Sequence, residues 1–375
     1  MGKTIGIGLI GAGFMGRTHA NAYQNVMAVF GTDIVPSLEI IADVDEEHAK
    51  SLCEIFGFKR WTTKWEDVIH DPDVMVVDIT TPNSSHCPIA IEAAKAGKHI
   101  LCEKPLALDA TEAKNATEEI EKAGVISAVG FNYIQNPVQA YVKSLIRSGE
   151  LGEVVNFRGS YDQDYYAGDE TLHEWRFLKS ASASGALGDL ASHTISLSQY
   201  LVGDIEKVNG MTKIVFPKRP DPKDRSNMLP VENDDVVQFM FSYENGAIGT
   251  IFSNRIACGR KMSLTYEIQL TRGNILFTQE RQNEVQIYRH DDSKLEQGFK
   301  TVLIAPGHGE FSNFFGGAGI GLGYADQKTI EVYHLLKNVA DHKKSDIDFR
   351  FGCKVNMVID AVLESAESGK WVNVK

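Results

Sequence analysis

A glycine-rich turn close to the amino terminus most strongly limits what this chain can fold into. Residues 5–16 read IGIGLIGAGFMG, an apolar run that ends in G-x-G-x-x-G spacing at Gly11, Gly13 and Gly16. The first glycine allows a tight turn, the second lets a phosphate approach the backbone, and the third lets the next helix pack closely on the strand. The pattern predicts a strand, a turn and a helix whose free N–H groups bind a dinucleotide pyrophosphate.

An acidic residue after the second apolar run indicates which dinucleotide binds. Residues 38–43 read LEIIAD, and we expect Asp43 to accept hydrogen bonds from the adenosine ribose. Its carboxylate would repel the 2′-phosphate of NADP, so the sequence predicts that NAD is preferred over NADP. The spacing exceeds the usual distance of about 20 residues because residues 21–37 lengthen the connection. The alternative is that Asp43 only ends a strand beside Asp45.

Composition excludes several classes of protein. The chain has 375 residues, of which 43% are hydrophobic, enough for two domains with ordinary cores. Its net charge of −12, with no basic block, predicts no binding to nucleic acid or to an anionic membrane. The five widely spaced cysteines predict neither a disulfide framework nor a metal site. With no signal segment and no apolar run of about 20 residues, we expect a cytoplasmic protein.

The pattern of predicted strands and helices changes near residue 131. Residues 1–131 alternate strand and helix patterns and predict an α/β Rossmann domain with a doubly wound parallel sheet. Residues 132–375 contain long strand-like runs joined by Asn/Gly turns, and they predict an α+β domain with a large, mostly antiparallel open sheet. Within it, the charged and proline-rich residues 217–233 are expected to form a surface loop.

Two groups of residues could carry acid–base chemistry. Lys104 follows a predicted central strand and precedes Pro105, so it could bind a substrate hydroxyl and stabilise a developing alkoxide. Asp189 and His193 are four residues apart at the start of a predicted helix over 189–201, where the histidine suits a general base. The alternatives are a surface lysine paired with Glu103, and a capping aspartate followed by a packed histidine.

Four motifs together carry a family resemblance. G-A-G-F-M-G, T-P-N-S-S-H, C-E-K-P and G-A-L-G-D-L-A-S-H, in this order, resemble the glucose–fructose oxidoreductase/inositol dehydrogenase/MocA (GFO/IDH/MocA) family, in its branch of inositol and levoglucosan dehydrogenases. The resemblance covers the whole chain. It implies NAD(P)-dependent oxidation of a secondary hydroxyl of a sugar or cyclitol to a ketone, with Lys104, Asp189 and His193 as the catalytic residues. An NAD-dependent glycosidase with a transient redox cycle and a non-catalytic dinucleotide-binding sensor remain alternatives.

The resemblance also implies the other contacts of the site. A homodimer or homotetramer would form through the carboxyl-terminal sheet. The substrate-binding residues would be Lys104, Tyr133, Gln163, Asp189 and His193, although Tyr133 and Gln163 are as well explained by packing or surface exposure. Beyond the three glycines and Asp43, the cofactor-binding residues would be Phe14, Met15, Thr81, Pro82, Asn83, His86, Glu103, Lys104, Trp175 and Arg176.

Overall fold

The computed structural model describes residues 3–375 and divides the chain into two compact units. The first unit contains the residues up to Gln135 together with Leu322–Cys353. The second contains Asn136–Gly321 together with Lys354–Lys375. The sequence predicts a division after residue 131, with all later residues in the second domain. The returning segment Leu322–Cys353 departs from that assignment because its apolar side chains pack within the first unit.

The first unit is built on a parallel sheet. Its strands are β1 (Lys3–Ile10), β2 (Ile34–Ala42), β3 (Arg60–Thr62), β4 (Val76–Ile79), β5 (His99–Cys102) and β6 (Ser127–Val129), and its helices before residue 135 are α1 (Phe14–Phe30), α2 (Glu46–Phe56), α3 (Trp65–His70), α4 (His86–Lys95) and α5 (Ala110–Ala123). The sheet order is β3-β2-β1-β4-β5-β6, and all neighbouring strands are parallel. This is the strand order of the doubly wound dinucleotide fold, so the predicted Rossmann domain is confirmed.

Aspartate side chains cap two helices of this unit, α2 and α5. The Asp109 carboxylate accepts a hydrogen bond from the backbone N–H of Glu112 at 2.8 Å, and the Glu112 carboxylate accepts one from the backbone N–H of Leu108 at 2.8 Å. Asp45 caps α2 in the same way. Each such cap stabilises a helix by about 1 kcal/mol. Asp109 therefore caps α5, while the Glu112 carboxylate bonds the residue before the cap.

The second unit is built on a mostly antiparallel sheet. Its strands are β7 (Val154–Asp162), β8 (Ile205–Lys213), β9 (Lys218–Pro220), β10 (Met228–Pro230), β11 (Val236–Tyr243), β12 (Ile248–Asn254), β13 (Ser263–Leu270), β14 (Gly273–Thr278), β15 (Glu284–Arg289), β16 (Lys300–Leu303) and β17 (Val372–Asn373). The large sheet has the order β16-β15-β14-β13-β7-β12-β11-β8-β17, in which only β7 and β12 pair in parallel. The predicted open antiparallel sheet is confirmed.

The remaining helices follow the same chain order. They are α6 (Pro137–Ser148), α7 (Lys179–Ser182), α8 (Ser192–Leu201), α9 (Phe311–Phe314), α10 (Tyr324–Asp341) and α11 (Phe349–Ser368). Helix α10 lies in the first unit. Its apolar residues Val332, Leu335, Leu336 and Val339 share a buried cluster with side chains of β1 and α1, among them Ile5, Ile7, Tyr23 and Val26. Burial of each large apolar side chain stabilises the fold by about 1.5 to 3 kcal/mol, which explains the returning segment.

The segment 217–233 differs from the predicted surface loop. Strands β9 and β10 form a two-stranded antiparallel sheet within it, and the Arg219 side chain is fully buried. The Arg219 guanidinium lies 4.3 Å from the ring centre of Phe216 and 5.4 Å from that of Phe177. It also donates a hydrogen bond to the backbone carbonyl of Tyr166 at 2.7 Å. These cation–π and hydrogen-bonding contacts, which composition does not reveal, hold the segment against the unit.

Candidate active site

The glycine turn has the geometry that a dinucleotide requires. Gly11 has a φ of +104°, which favours glycine, and its N–H donates to the carbonyl of Ala42 at 2.8 Å. A Cβ on Gly16 would lie 1.9 Å from the carbonyl oxygen of Gly11, so the helix packs too closely for a side chain. A Cβ on Gly13 would meet no atom within 4 Å, and no side chain caps the start of α1. The turn therefore leaves space and free N–H groups for a pyrophosphate, and it fits NAD.

Replacing Gly13 with alanine is expected to weaken NADH binding about tenfold or more without lowering the melting temperature. The added methyl group meets no protein atom, but it occupies the space through which phosphates approach the backbone. Fluorescence titration with NADH measures the affinity, and differential scanning fluorimetry measures the melting temperature. Gly298→Ala is the matched control, because a Cβ there also meets open space. Unchanged NADH affinity in Gly13→Ala would show that the pyrophosphate does not bind at this turn.

Asp43 is bonded to the glycine turn itself. Its Oδ2 accepts a hydrogen bond from the backbone N–H of Ala12 at 2.6 Å, and its Oδ1 accepts one from the backbone N–H of Asp45 at 2.8 Å. The residue follows β2 directly, as predicted. The carboxylate thus holds the turn in place beside the site where the sequence predicts ribose binding. That ribose contact remains a prediction.

The loop after β4 is held by its own side chains. His86 is buried, with Nδ1 3.0 Å from the carbonyl oxygen of Pro105 and Nε2 2.8 Å from that of Thr81. Burial lowers the pKa of His86, so the ring is neutral and donates through one nitrogen. The imidazole therefore joins the Thr81 loop to the Lys104-Pro105 turn. The predicted cofactor contacts of this loop stay predictions: Thr81, Pro82, Asn83 and His86.

Glu103 is a buried carboxylate directly before Lys104. Its Oε1 accepts hydrogen bonds from His19 Nε2 at 2.9 Å and from Lys328 Nζ at 2.8 Å. Its Oε2 accepts one from the backbone N–H of Lys104 at 3.1 Å. Burial alone would raise the pKa of Glu103, but Lys328 and His19 outweigh it and hold the pKa well below its usual value. Glu103 is therefore ionised and fixed on three sides, and Lys104 beside it is half-buried.

Sequence reasoning missed the partners of Glu103. His19 Nδ1 lies 2.8 Å from Asp78 Oδ2, and the Lys328 ammonium also contacts the Glu331 carboxylate. All of these side chains are buried. His19, Glu103 and Glu331 are residue types that could bind a metal ion. The Lys328 ammonium, however, already lies against both carboxylates. Lys328 is 225 residues from Glu103, so no local pattern signals the pair.

Stability is expected to fall between pH 6.5 and pH 9 because of His19. Burial opposes the charged form, but Asp78 and Glu103 raise the pKa of His19 to about 9, against a partly opposing effect of Lys328. A raised folded pKa contributes stability that is complete below pH 6.5 and is lost as pH rises through about 9. The free energy of unfolding should drop by roughly 3 kcal/mol more in the wild-type chain than in His19→Gln, measured by urea unfolding. An equal pH dependence in both would contradict this charge state.

An aromatic cluster adjoins the glycine turn. The Phe14 ring is largely exposed, and its centroid lies 6.4 Å from that of Tyr324. Tyr324 also places its hydroxyl 3.5 Å from Met15 Sδ and meets the Tyr133 ring edge-on at 6.0 Å. Phe14, Met15 and Tyr133 were predicted site residues, whereas Tyr324 was not. The structure brings these four side chains together, and their contacts with ligands remain predictions.

Asp189 and His193 lie on a helical segment whose first turn is wider than predicted. A π-helical turn spans Leu187–Ala191, and α8 continues from it without a break. Such turns are frequent at functional sites. Asp234 holds the start, because its carboxylate accepts hydrogen bonds from the backbone N–H groups of Gly185 at 2.7 Å and Leu187 at 2.8 Å. The predicted helix over 189–201 thus begins earlier, at a distant cap that the local sequence does not contain.

The Asp189 carboxylate is oriented by an aromatic and a cationic side chain. The Tyr165 hydroxyl donates to Asp189 Oδ2 at 2.6 Å, and Arg176 Nε lies 3.9 Å from the same oxygen. Burial, together with the Asp189 charge, holds the pKa of Tyr165 well above its usual value, so the hydroxyl keeps its proton. The Arg176 guanidinium stacks on the Trp175 ring at 4.3 Å. Tyr165 was missed by the sequence analysis, and its only signal is the aromatic pair with Tyr166.

His193 is buried beside Tyr161. The two ring centroids are 5.9 Å apart in an edge-on arrangement. Gln163 Nε2 donates to the Tyr161 hydroxyl at 3.0 Å and lies 2.8 Å from Met262 Sδ. Gln163 therefore belongs to the same group of side chains as His193. Its predicted substrate contact stays a prediction.

The predicted site residues fall into two groups, one in each unit. The first unit carries the glycine turn, Asp43, the 81–86 loop, Glu103, Lys104 and Tyr133. Its members follow the carboxyl ends of β1, β2, β4, β5 and β6, where ligands of such sheets bind. The second unit carries Gln163, Trp175, Arg176, Asp189 and His193.

Comparisons with known proteins agree with the folds of both units. The model of the oxidoreductase family with an NAD-binding Rossmann fold matches residues 5–131, and that of the GFO/IDH/MocA C-terminal domain matches residues 140–276. The levoglucosan dehydrogenase of Pseudarthrobacter phenanthrenivorans is 38% identical, over 99% of this chain and 98% of its own length. The scyllo-inositol 2-dehydrogenase (NAD(+)) of Bacillus subtilis is 29% identical over 66% of each chain.

A solved structure gives the same result in three dimensions. The structure of levoglucosan dehydrogenase in complex with NADH and levoglucosan is 39% identical to this chain, with a TM-score of 0.96. It covers 99% of this chain and 100% of its own. The chain therefore belongs to the GFO/IDH/MocA family of NAD-binding oxidoreductases, in the branch that includes levoglucosan and inositol dehydrogenases.

Proposed function

We propose that this oxidoreductase oxidises a secondary hydroxyl of a sugar, an anhydrosugar or a cyclitol to a ketone, with NAD as the acceptor. The whole-length similarity to a levoglucosan dehydrogenase solved with NADH and its sugar carries the proposal. The family's E-K-P and D-x-x-x-H residues, Lys104, Asp189 and His193, are all retained, which supports an active enzyme. A non-catalytic sensor would not need to keep them.

The proposed chemistry divides the work among three side chains. His193 takes the proton of the reacting hydroxyl as general base, and Asp189, one helical turn before it, assists His193 in this role. The Tyr165 and Arg176 contacts hold the Asp189 carboxylate in place. Lys104 donates a hydrogen bond to the same hydroxyl oxygen and stabilises negative charge as it develops. The nicotinamide of bound NAD accepts the hydride.

The cofactor would be held mainly by the first unit. We assign the pyrophosphate to the glycine turn, with Phe14 and Met15 beside it, and the adenosine ribose to Asp43. Asp43 also supports a preference for NAD over NADP, because a carboxylate at the adenosine ribose would repel the 2′-phosphate of NADP. The other proposed cofactor contacts are Thr81, Pro82, Asn83, His86, Glu103, Lys104, Trp175 and Arg176, and the other proposed substrate contacts are Tyr133 and Gln163.

A substrate panel tests the proposal. The purified chain is incubated with NAD or NADP and with levoglucosan, common hexoses and inositol isomers, and absorbance at the NADH band is recorded. We expect NAD reduction with at least one of these compounds and a lower rate with NADP. Release of a chromogenic aglycone without net NADH would favour the glycosidase alternative. NADH binding without turnover of any compound would favour the sensor.

We further propose that the chain forms a homodimer or homotetramer through the large sheet of the second unit. Apolar side chains on one face of that sheet are partly exposed, including Met211, Met240 and Ile248. Covering them in a symmetric interface would remove apolar surface from water. A light-scattering mass of one subunit would contradict this proposal.

We propose a cytoplasmic location. All five cysteines are free thiols, and four of them are buried, as is typical of proteins in a reducing compartment. Within residues 3–375, no helix combines the length and apolar character needed to cross a membrane. Fractionation of cells that produce the tagged chain tests the location.

A further inference from the structure

Lys328 is a fully buried lysine that the proposed mechanism does not use. It lies on α10, on the face that packs within the first unit, and its ammonium contacts the carboxylates of Glu103 and Glu331. Glu331 follows one turn later on the same helix and is also buried. Taking an ammonium and two carboxylates out of water costs several kcal/mol per ion before their attraction is counted. A lysine kept at such a position therefore calls for a reason other than stability.

Docking of α10 does not supply that reason. Four apolar residues farther along the helix already pack against β1 and α1: Val332, Leu335, Leu336 and Val339. Apolar side chains of similar volume at both 328 and 331 would extend that contact without burying this ion pair. The ammonium instead lies near the amino-terminal end of α10 and contacts Glu103, the residue directly after β5.

The Glu103 carboxylate connects Lys328 with Lys104. One of its oxygens accepts hydrogen bonds from Lys328 and His19, and the other accepts the backbone N–H of Lys104. A Cβ on Gly130 would lie 2.6 Å from Glu103 Oε1, so the carboxylate fills the space that this glycine leaves. With both oxygens engaged and a backbone on one side, Glu103 has one arrangement. The backbone of Lys104 is fixed with it.

We propose that Lys328 is a positioning residue that acts through Glu103 to hold Lys104 in its productive place. This inference rests on the proposed function only in the role that it gives to Lys104. Small displacements of a group that contacts the reacting atoms cost about a hundredfold in rate for 1 Å. Lys328 thus makes the chemistry of the E-K-P turn depend on a helix more than 200 residues later in the chain.

The test uses the wild-type chain and five variants, one of which combines Glu103→Gln with Lys328→Met. Lys328→Met removes the ammonium, and Lys328→Met with Glu331→Gln also removes the excess negative charge, so that a folded protein is available for assay. Glu103→Gln completes a double-mutant cycle with Lys328→Met. Lys337→Met is the control, because Lys337 is an exposed lysine on the same helix. The measurements are kcat, KM, the NADH dissociation constant and the melting temperature.

The expected result is a fall in kcat of about a hundredfold in the folded Lys328 variants, with NADH affinity and KM changed much less. In the Glu103→Gln background, Lys328→Met should cost little more, because both changes break the same connection. A lower melting temperature with unchanged kcat would show that Lys328 is only structural and would overturn the proposal. Additive effects of the two substitutions on kcat would also overturn it, since Lys328 would then not act through Glu103.

A second readout does not need turnover. Acetylation of Lys104 by an amine reagent, located by mass spectrometry, should become several times faster in Lys328→Met/Glu331→Gln than in the wild-type chain or in Lys337→Met. An unchanged rate would contradict the positioning role. If the wild-type chain oxidises no compound of the panel, the proposed function fails, and the labelling of Lys104 still decides whether Lys328 positions it.

Discussion

Replacing His193 with alanine is expected to lower kcat by about 10² to 10⁴-fold while leaving the NADH dissociation constant unchanged. His193 is the proposed base for the substrate hydroxyl and belongs to the second unit. The glycine turn, the proposed pyrophosphate site, belongs to the first unit. Loss of the base should therefore remove chemistry without removing cofactor binding. Steady-state rates with the best substrate of the panel and NADH fluorescence titration measure the two quantities.

The control for this variant is His290→Ala. His290 is an exposed histidine of the second unit, so its loss should change neither quantity. Because His193 is buried beside Tyr161, the melting temperature of His193→Ala is measured as well, and rates are compared well below it. Full activity in a folded His193→Ala protein would show that another group takes the proton.

Replacing Arg255 with methionine is expected to destabilise the second unit by about 3 to 5 kcal/mol. Arg255 and Asp235 form a fully buried ion pair at 3.0 Å. Removing the guanidinium leaves the Asp235 carboxylate buried without its charge partner, although two backbone N–H groups, of Val215 and Phe216, still donate to it. The melting temperature should fall by about 6 to 20 °C, since 1 kcal/mol shifts it by about 2 to 4 °C in units of this size.

The exposed pair of Arg272 and Asp291 provides the matched control for this second prediction. Both of its side chains are more than half exposed. Surface pairs contribute about 0 to 1 kcal/mol, so Arg272→Met should shift the melting temperature by only a few degrees. Equal losses in the two arginine variants would contradict the assignment of the large effect to burial.

Arg255 also supports the site loop. Its guanidinium lies 3.4 Å from the backbone carbonyl oxygen of Arg176, to which Asn233 Nδ2 also donates at 3.0 Å. Arg255 and Asn233 thus hold the backbone of Arg176, whose guanidinium lies near the Asp189 carboxylate. Below its melting temperature, Arg255→Met should therefore also show reduced turnover.

The features that the sequence predicts correctly are those coded by neighbouring residues. The glycine turn and each strand or helix of the first unit depend on fewer than about 20 consecutive residues, so pattern and local chemistry are sufficient to predict them. The family motifs likewise predict a catalytic role for Lys104, Asp189 and His193, and this role stays a prediction.

What the sequence missed depends on partners that are distant along the chain. Lys328 meets Glu103 across 225 residues, and Asp234 caps the helix of Asp189 from 47 residues beyond its first turn. Arg219 lies in a charged, proline-rich stretch, yet it is buried, with the ring of the distant Phe177 as well as that of nearby Phe216 against its guanidinium. In each case tertiary packing overrides what the local composition favours, because burial is a property of the folded chain.

The return of Leu322–Cys353 to the first unit has a consequence for the order of synthesis. When the ribosome has released the first 135 residues, the six parallel strands are present, but the apolar face that α10 covers is still exposed to water. Glu103 and His19 also lack the Lys328 ammonium until that helix emerges. The dinucleotide unit is therefore completed only after nearly the whole second unit has been translated, and a fragment cut at its apparent boundary lacks a structural part of its own core.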